Sequence, residues 1–297
     1  MRPRADPVIR QGRPFEAIGT SWQIDTAEPL GDDLAEALAD RIERFDATYS
    51  RFRDDSLVAR FARGPASEPF PEDASALFAL YRALFDATGG AVSPFVGASL
   101  ERLGYDTAYS LVQAGPAIGA PVWDDIAAWD AETRTLTTTT AVVIDVGAAG
   151  KGYLVDIVAD LLHDAGHTAF TIDASGDLLH RGGIPLRVAL EHPYDPRKAI
   201  GVATMTDGAL CASATNRRAW GSGLHHVIDG RTGLPTNEVA ATWATAPSAM
   251  VADGIATALF FTDHGILAPR FDGVESVRMF TTGLVDTSAG FPGELFT

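Results

Sequence analysis

The apolar runs of this chain are mostly short, and most are joined by polar turns of only a few residues. A parallel pair of strands needs a crossover of a dozen or more residues, so this punctuation confines most of the sheet to antiparallel pairing. Runs at 169–173, 186–190, 201–206 and 209–213 read as strands, and 141–145 as a buried strand end. Residues 15–24 form a first strand broken near Gly19-Thr20, and 121–140, with Trp123, Ile126 and Trp129, form further paired strands. Helices interrupt them. Leu34, Leu38, Ile42 and Phe45 recur at helical spacing over 32–45, and Leu77, Leu80, Leu84 and Phe85 do so over 74–88, with Gly89-Gly90 closing the helix. A polar turn at 49–56 leads into a short helix, and 64–73 reads as a loop. Two more helices are expected at 153–165 and 248–261. The fold class is α+β, with mostly antiparallel sheets and flanking helices.

The chain has 297 residues, of which 46% are hydrophobic, enough for one large core or two ordinary ones. Its net charge of −16 argues against nucleic acid or an anionic membrane surface as a partner. Any phosphate must therefore be held locally, by a metal ion and by backbone N–H groups. The single cysteine, Cys211, excludes an internal disulfide framework and a cysteine-rich zinc site, and reads as a small core residue. The first ten residues carry charges without a following apolar run of leader length, and no stretch approaches the length of a membrane span, so the expected location is the cytoplasm.

Two segments concentrate chemistry. The stretch from His225 to Gly233 joins a pair of histidines to a turn, and His226 is a candidate general base because imidazole titrates nearest neutrality. Twenty residues on, Asp253 and Thr257 stand four apart in an apolar helical run, so their oxygens share one face and can hold a small divalent cation. A buried carboxylate and hydroxyl need partners, and a metal provides one. Between a strand and a helix, Asp145 to Tyr153 forms a glycine-rich turn. It is either an anion-binding helix entrance or a tight turn with a solvated Lys151, and it has neither a P-loop ending nor the dinucleotide glycine spacing. Ser175-Gly176-Asp177 places a carboxylate at a strand end or in an ordinary turn.

The order of these pieces is more specific than any one of them. Gly19-Thr20, then Tyr49-Ser50-Arg51-Phe52 with Ser56, then Asp-x-Gly-x-x-x-Lys-Gly-Tyr-x-x-Asp from Asp145 to Asp156, then Ser175-Gly176-Asp177 and Ser213, then His-x-x-Asp-x-x-Thr-Gly from His226, then Asp-x-x-x-Thr from Asp253, together resemble the ApbE-like family of FAD:protein FMN transferases. The resemblance covers nearly the whole chain. It implies one flavin transferase domain of T-fold-like architecture, or two subdomains meeting at a central FAD cleft. The implied reaction is Mg²⁺-dependent transfer of FMN from FAD to a Thr or Ser hydroxyl of an acceptor flavoprotein, with release of AMP.

Carried over residue by residue, the resemblance makes Asp253 and Thr257 metal ligands, with the backbone carbonyl of Gly150 as a third. Gly19, Thr20, Lys151, Asp156, Gly176 and Asp177 fall where such proteins line the FAD cleft. So do Ser213, Asp229 and Thr232, with Asp229 also supporting its turn. His226 and Asp253 fall at the catalytic positions. The chain departs from the family pattern at Ala212 and Ala214, which flank Ser213 in place of Thr and Gly, at Ser175 and Gly230, and at Gly150, where relatives have Ala. Two other readings use the same residues: an FAD pyrophosphatase, with water replacing the acceptor hydroxyl, and a flavin-binding protein without turnover.

Overall fold

The computed structural model describes residues 9–296; the stretch read for a leader lies, in its first eight residues, outside them. Along the chain run β1 (Phe15–Ala17), β2 (Thr20–Thr26), α1 (Asp32–Tyr49), α2 (Leu57–Phe61), β3 (Ala66–Pro69), α3 (Ala74–Ala87), α4 (Gly97–Arg102) and α5 (Trp123–Ile126). Next come β4 (Ala127–Asp130), β5 (Thr135–Thr138), α6 (Gly150–Asp164), β6 (Phe170–Asp173), β7 (Asp177–Arg181), β8 (Leu186–Glu191), β9 (Ala199–Met205) and β10 (Gly208–Ala214). The last third holds β11 (Ala219–Trp220), β12 (Leu224–His225), β13 (Val239–Ala246), α7 (Ala249–Ala258), α8 (His264–Leu267), β14 (Glu275–Phe280), β15 (Val285–Thr287) and β16 (Gly293–Leu295).

An eight-stranded sheet in the order β1-β2-β6-β7-β10-β13-β14-β15 forms the frame, and every neighbouring pair in it is antiparallel. Its faces are told apart by alternation. On β10, Ala209 and Cys211 enter the larger core beneath α1, α3, α6 and α7, while Leu210 joins Trp243, Val277 and Met279 in a second core. The sheet β16-β9-β8 covers that second core, with Leu190, Ile200 and Met205. The main sheet is thus buried on both sides, with helices on one face and strands on the other. A third sheet, β3-β5-β4, closes the helical layer, where Phe70 and Phe78 pack against Trp129. Among the described residues no helix is long and apolar enough to cross a membrane.

Several expectations need correction. Residues 141–145 form no strand, although Val142 and Ile144 are buried. They run past the end of α2 and the start of α4 on single hydrogen bonds to Phe61, Gly97 and Pro94, and among the described residues no strand pairs with them. Residues 64–73 are not all loop, since β3 pairs with β5. Trp123–Ile126 is a helical turn where a strand is expected. The helix expected from Tyr153 begins at Gly150, and the turn expected through Asp177 ends before it, because Asp177 opens β7 opposite Cys211.

The early start of α6 follows from its crossing with α7. A Cβ on Gly152 would lie 2.2 Å from the carbonyl oxygen of Ala249 and 2.7 Å from Cβ of Asp253, so only glycine lets the two helices meet. Asp156, one turn later, reaches across to accept the N–H groups of Ala249 and Met250 and the hydroxyl of Ser248, which satisfies donors left free at the start of α7. Gly152→Ala is expected to overpack this crossing and cost about 1–3 kcal/mol. A lowered urea midpoint, with an unchanged slope, is the measurement that checks it.

Candidate active site

The α6–α7 crossing sets the floor of a cavity of about 520 Å³ between the helical layer and the main sheet. Asp253, on α7, is buried and accepts the Gly152 N–H at 2.9 Å. Lys151 Nζ, from the first turn of α6, lies 2.5 Å from Asp177 Oδ2 and donates to the Ala174 carbonyl at 2.8 Å. Lys151 is therefore not the solvated residue of a simple turn. Two buried carboxylates face one ammonium. Burial, then the neighbouring Asp177 carboxylate, pushes the Asp253 carboxyl well above the usual range, and Lys151 opposes the shift only in part. Burial also works against the charge on Lys151, but the two carboxylates outweigh it and hold its pKa above the ordinary value.

This end of the cavity fits a small hard cation. Neither oxygen of Asp177 meets a hydrogen-bond donor in good geometry, so the ion pair with Lys151 leaves acceptor capacity unused. Thr257 lines the same wall one turn after Asp253, and its hydroxyl donates to the Ala148 carbonyl at 3.3 Å. The carbonyl that meets Thr257 is thus that of Ala148, two residues before Gly150, which also lines the cavity but opens α6. The departure to glycine at 150 has a local cause: a Cβ there would lie 2.8 Å from Val146 Cγ2. Among the described residues no three His, Cys, Asp or Glu side chains gather, so a cation here would be held by carboxylate, hydroxyl and carbonyl oxygens. That is a magnesium-type donor set.

Another part of the wall is built by the short β11–β12 ribbon, which leads into His226. Its registered pairs are Ala219 with His225 and Trp220 with Leu224, and the next pair is closed by the His226 N–H donating to the Arg218 carbonyl at 3.2 Å. The two histidines have separate fates. His225 Nε2–H donates to the Thr236 carbonyl and its Nδ1 accepts the Val227 N–H, so its ring is committed to the backbone. His226 lines the cavity with Nδ1 buried and unpartnered. Burial, reinforced by the Arg218 guanidinium, lowers the His226 pKa to about 4, which leaves the imidazole neutral. A neutral ring with a free nitrogen has the form a proton acceptor requires.

The structure thus brings Gly19, Thr20, Gly150, Lys151, Asp177, Ser213, His226, Asp253 and Thr257 to one cavity. It leaves Asp156, Gly176, Asp229 and Thr232 off the wall. Asp156 is consumed at the start of α7. Gly176 holds a turn at φ 104°, and its carbonyl accepts the Ala212 N–H. Asp229 pairs with Arg231 and Thr232 accepts the Leu234 N–H, both within the turn after His226. These four support the residues that reach the cavity. Others lining it carry no site expectation from sequence: Ile18, Tyr105, Arg218 and Phe45, the last read only as part of a helix face. Arg51 and Phe52 belong to the quoted motif, without an assigned role. The Arg51 guanidinium is buried, 2.5 Å from Asp145 Oδ2 through Nε, and donates to the Tyr105 carbonyl. Asp145 in turn accepts the Gly147 N–H, so the pair fixes the loop that carries Ala148.

The family profile described as "ApbE family" matches residues 18–268. A curated relative from Vibrio cholerae, named FAD:protein FMN transferase, is 28% identical over 267 residues, covering 82% of this chain and 78% of its own. One of the same name from Klebsiella pneumoniae is 27% identical over 280 residues, with coverage of 82% and 76%. The crystal structure of an ApbE protein from Thermotoga maritima superposes with a TM-score of 0.80 at 22% identity, over 95% of this chain and 97% of that one. The flavin transferase ApbE from Vibrio cholerae gives 0.76 at 22% identity, over 96% and 99%. These superpositions carry the α+β fold.

Proposed function

The chain belongs to the ApbE family, and from that premise we propose that it is an FAD:protein FMN transferase, as the curated relatives are named. In this reading it moves FMN from FAD to a Thr or Ser hydroxyl of an acceptor flavoprotein, with Mg²⁺ bound and AMP released. One observation supports it above the rest: Asp253, Thr257, Lys151, Asp177 and His226, drawn from distant segments, line one cavity. The chain is read as one unit, whose two cores share the main sheet.

Asp253 and Thr257, with the carbonyl of Ala148 or Gly150, would hold the metal; Asp177 would add a second carboxylate, and Lys151 limits the excess negative charge. A divalent cation there would supply Lewis-acid withdrawal of charge from the pyrophosphate. The acceptor hydroxyl oxygen attacks the phosphorus of the FMN half and forms a new P–O bond. The bond from that phosphorus to the bridging oxygen breaks, and AMP leaves with its electron pair. His226 Nδ1 takes the hydroxyl proton, since it has no other partner.

Incubation with FAD and Mg²⁺, with and without a candidate acceptor protein, tests the reading by mass spectrometry and AMP assay. An FMN-sized mass increase on the acceptor, with AMP released only when acceptor is present, is expected. Rapid AMP release without acceptor would identify an FAD pyrophosphatase, and stoichiometric FAD binding without product a flavin-binding protein.

A further inference from the structure

Four basic side chains line the cavity: Arg51, Lys151, Arg217 and Arg218. Three are matched by carboxylates, Arg51 by Asp145, Lys151 by Asp177 and Arg217 by Glu191. Arg218 has no ion-pair partner among the described residues, in a chain whose net charge is −16. Its guanidinium lies over the Tyr105 ring, 5.9 Å from the centroid. Tyr105 stacks on Trp220, and Trp220 donates through Nε1 to the Leu103 carbonyl, so the ribbon carrying Arg218 is pinned to this wall.

Register then fixes what Arg218 faces. Continuing the pairs Ala219–His225 and Trp220–Leu224 by one step opposes Arg218 to His226, and directly opposed residues project from the same face of a ribbon. The face carries one uncompensated cation and one buried, unpartnered imidazole nitrogen. Asp177 and Asp253, the acidic residues assigned to a cation, come from β7 and α7 and not from this ribbon.

We propose that Arg218 and His226 form an anion subsite at the ribbon end of the cavity and that Arg218 binds phosphate oxygens of the pyrophosphate. The assignment rests on the reading of FAD as substrate. Arg218 supplies a planar fork suited to phosphate, and its place over the Tyr105 ring limits where that fork can reach. It holds the pyrophosphate against His226. The local effect on the imidazole is consistent with this: the guanidinium disfavours the charged ring, and an anion placed between them offsets that influence.

Calorimetric titration of Arg218→Gln and Arg218→Lys with magnesium pyrophosphate, FAD, riboflavin and adenosine tests the subsite. Arg218→Gln is expected to weaken pyrophosphate and FAD binding by roughly 10- to 100-fold, the scale of a charge-assisted hydrogen-bond pair. Riboflavin and adenosine, which lack phosphate, should bind as to the unmodified protein, and Arg218→Lys should recover part of the loss. Arg218 is exposed, so the urea midpoint should not move. Wild-type-like pyrophosphate affinity in Arg218→Gln, no pyrophosphate binding by the unmodified protein, or an equal loss for riboflavin would each overturn the proposal. Full FMN transfer by the unmodified protein, with no change in Arg218→Gln, removes the subsite and leaves the transferase. Loss of pyrophosphate affinity in the variant, with no transfer by the unmodified protein, does the reverse.

Discussion

Asp253→Asn is expected to abolish Mg²⁺-dependent turnover while leaving the fold intact. Asp253 is the buried carboxylate one helical turn from Thr257, and its loss removes a charged ligand from a donor set otherwise completed by neutral oxygens and Asp177. Several kcal/mol of charge stabilisation in the transition state corresponds to a fall of roughly 10³-fold or more in kcat/KM. Stability should go the other way. Burial and Asp177 push the Asp253 carboxyl well above its usual range, so they work against its charged form in the metal-free protein, and asparagine removes that charge. The amide oxygen still accepts the Gly152 N–H, and its nitrogen can donate to Asp177, whose ion pair with Lys151 leaves acceptor capacity unused. The Asn variant should therefore melt at or above the unmodified protein in the absence of Mg²⁺. Asp253→Ala, which strands the Gly152 N–H, should lose about 1–3 kcal/mol. Mg²⁺-dependent AMP release unchanged in Asp253→Asn would sink the assignment.

What could be read from sequence follows from where the physical signal is local. The helices α1 and α3 announce themselves because each buries one stripe, and Leu38, Ile42, Leu77 and Leu84 are buried as their spacing requires. The strand β13, Val239–Ala246, goes unread for the opposite reason. It is buried on both faces, so no alternation shows, and its alanines have little strand preference. The start of α6 is misplaced because glycine signals a turn, whereas Gly152 is present for close contact with Ala249. At the site, motif order names Lys151, Asp177, His226, Asp253 and Thr257, which line one cavity. It cannot separate a residue that lines the cavity from one that hydrogen-bonds within the wall behind it. Asp156, Asp229 and Thr232 occupy motif positions but hydrogen-bond to neighbouring protein groups. Arg218 is illegible, since its relation to His226 exists only through the register of two two-residue strands.

His226→Gln is expected to lower kcat by roughly 10²- to 10⁴-fold, the contribution of a positioned general base, with FAD affinity little changed. Equal losses in kcat and affinity would mark His226 as a binding residue. The pH dependence gives a second reading. With burial and Arg218 lowering its pKa to about 4, against an ordinary 6.5, His226 is neutral in the free protein at any pH above that. At saturating Mg²⁺ the His226 contribution to the acid limb of kcat/KM should lie near that value and vanish in His226→Gln. A bound pyrophosphate counters the Arg218 charge and favours the imidazolium, so the corresponding limb of kcat should sit at higher pH. Stability carries the same sign. As pH falls below about 6.5 the unfolded chain takes up this proton first, because the folded value is the lower one, so the His226 contribution is complete above that range and is lost toward pH 4. Replacing the imidazole with an amide that cannot titrate should flatten that part of the stability profile. A profile as steep as that of the unmodified protein would mean that the buried ring is not the group being charged.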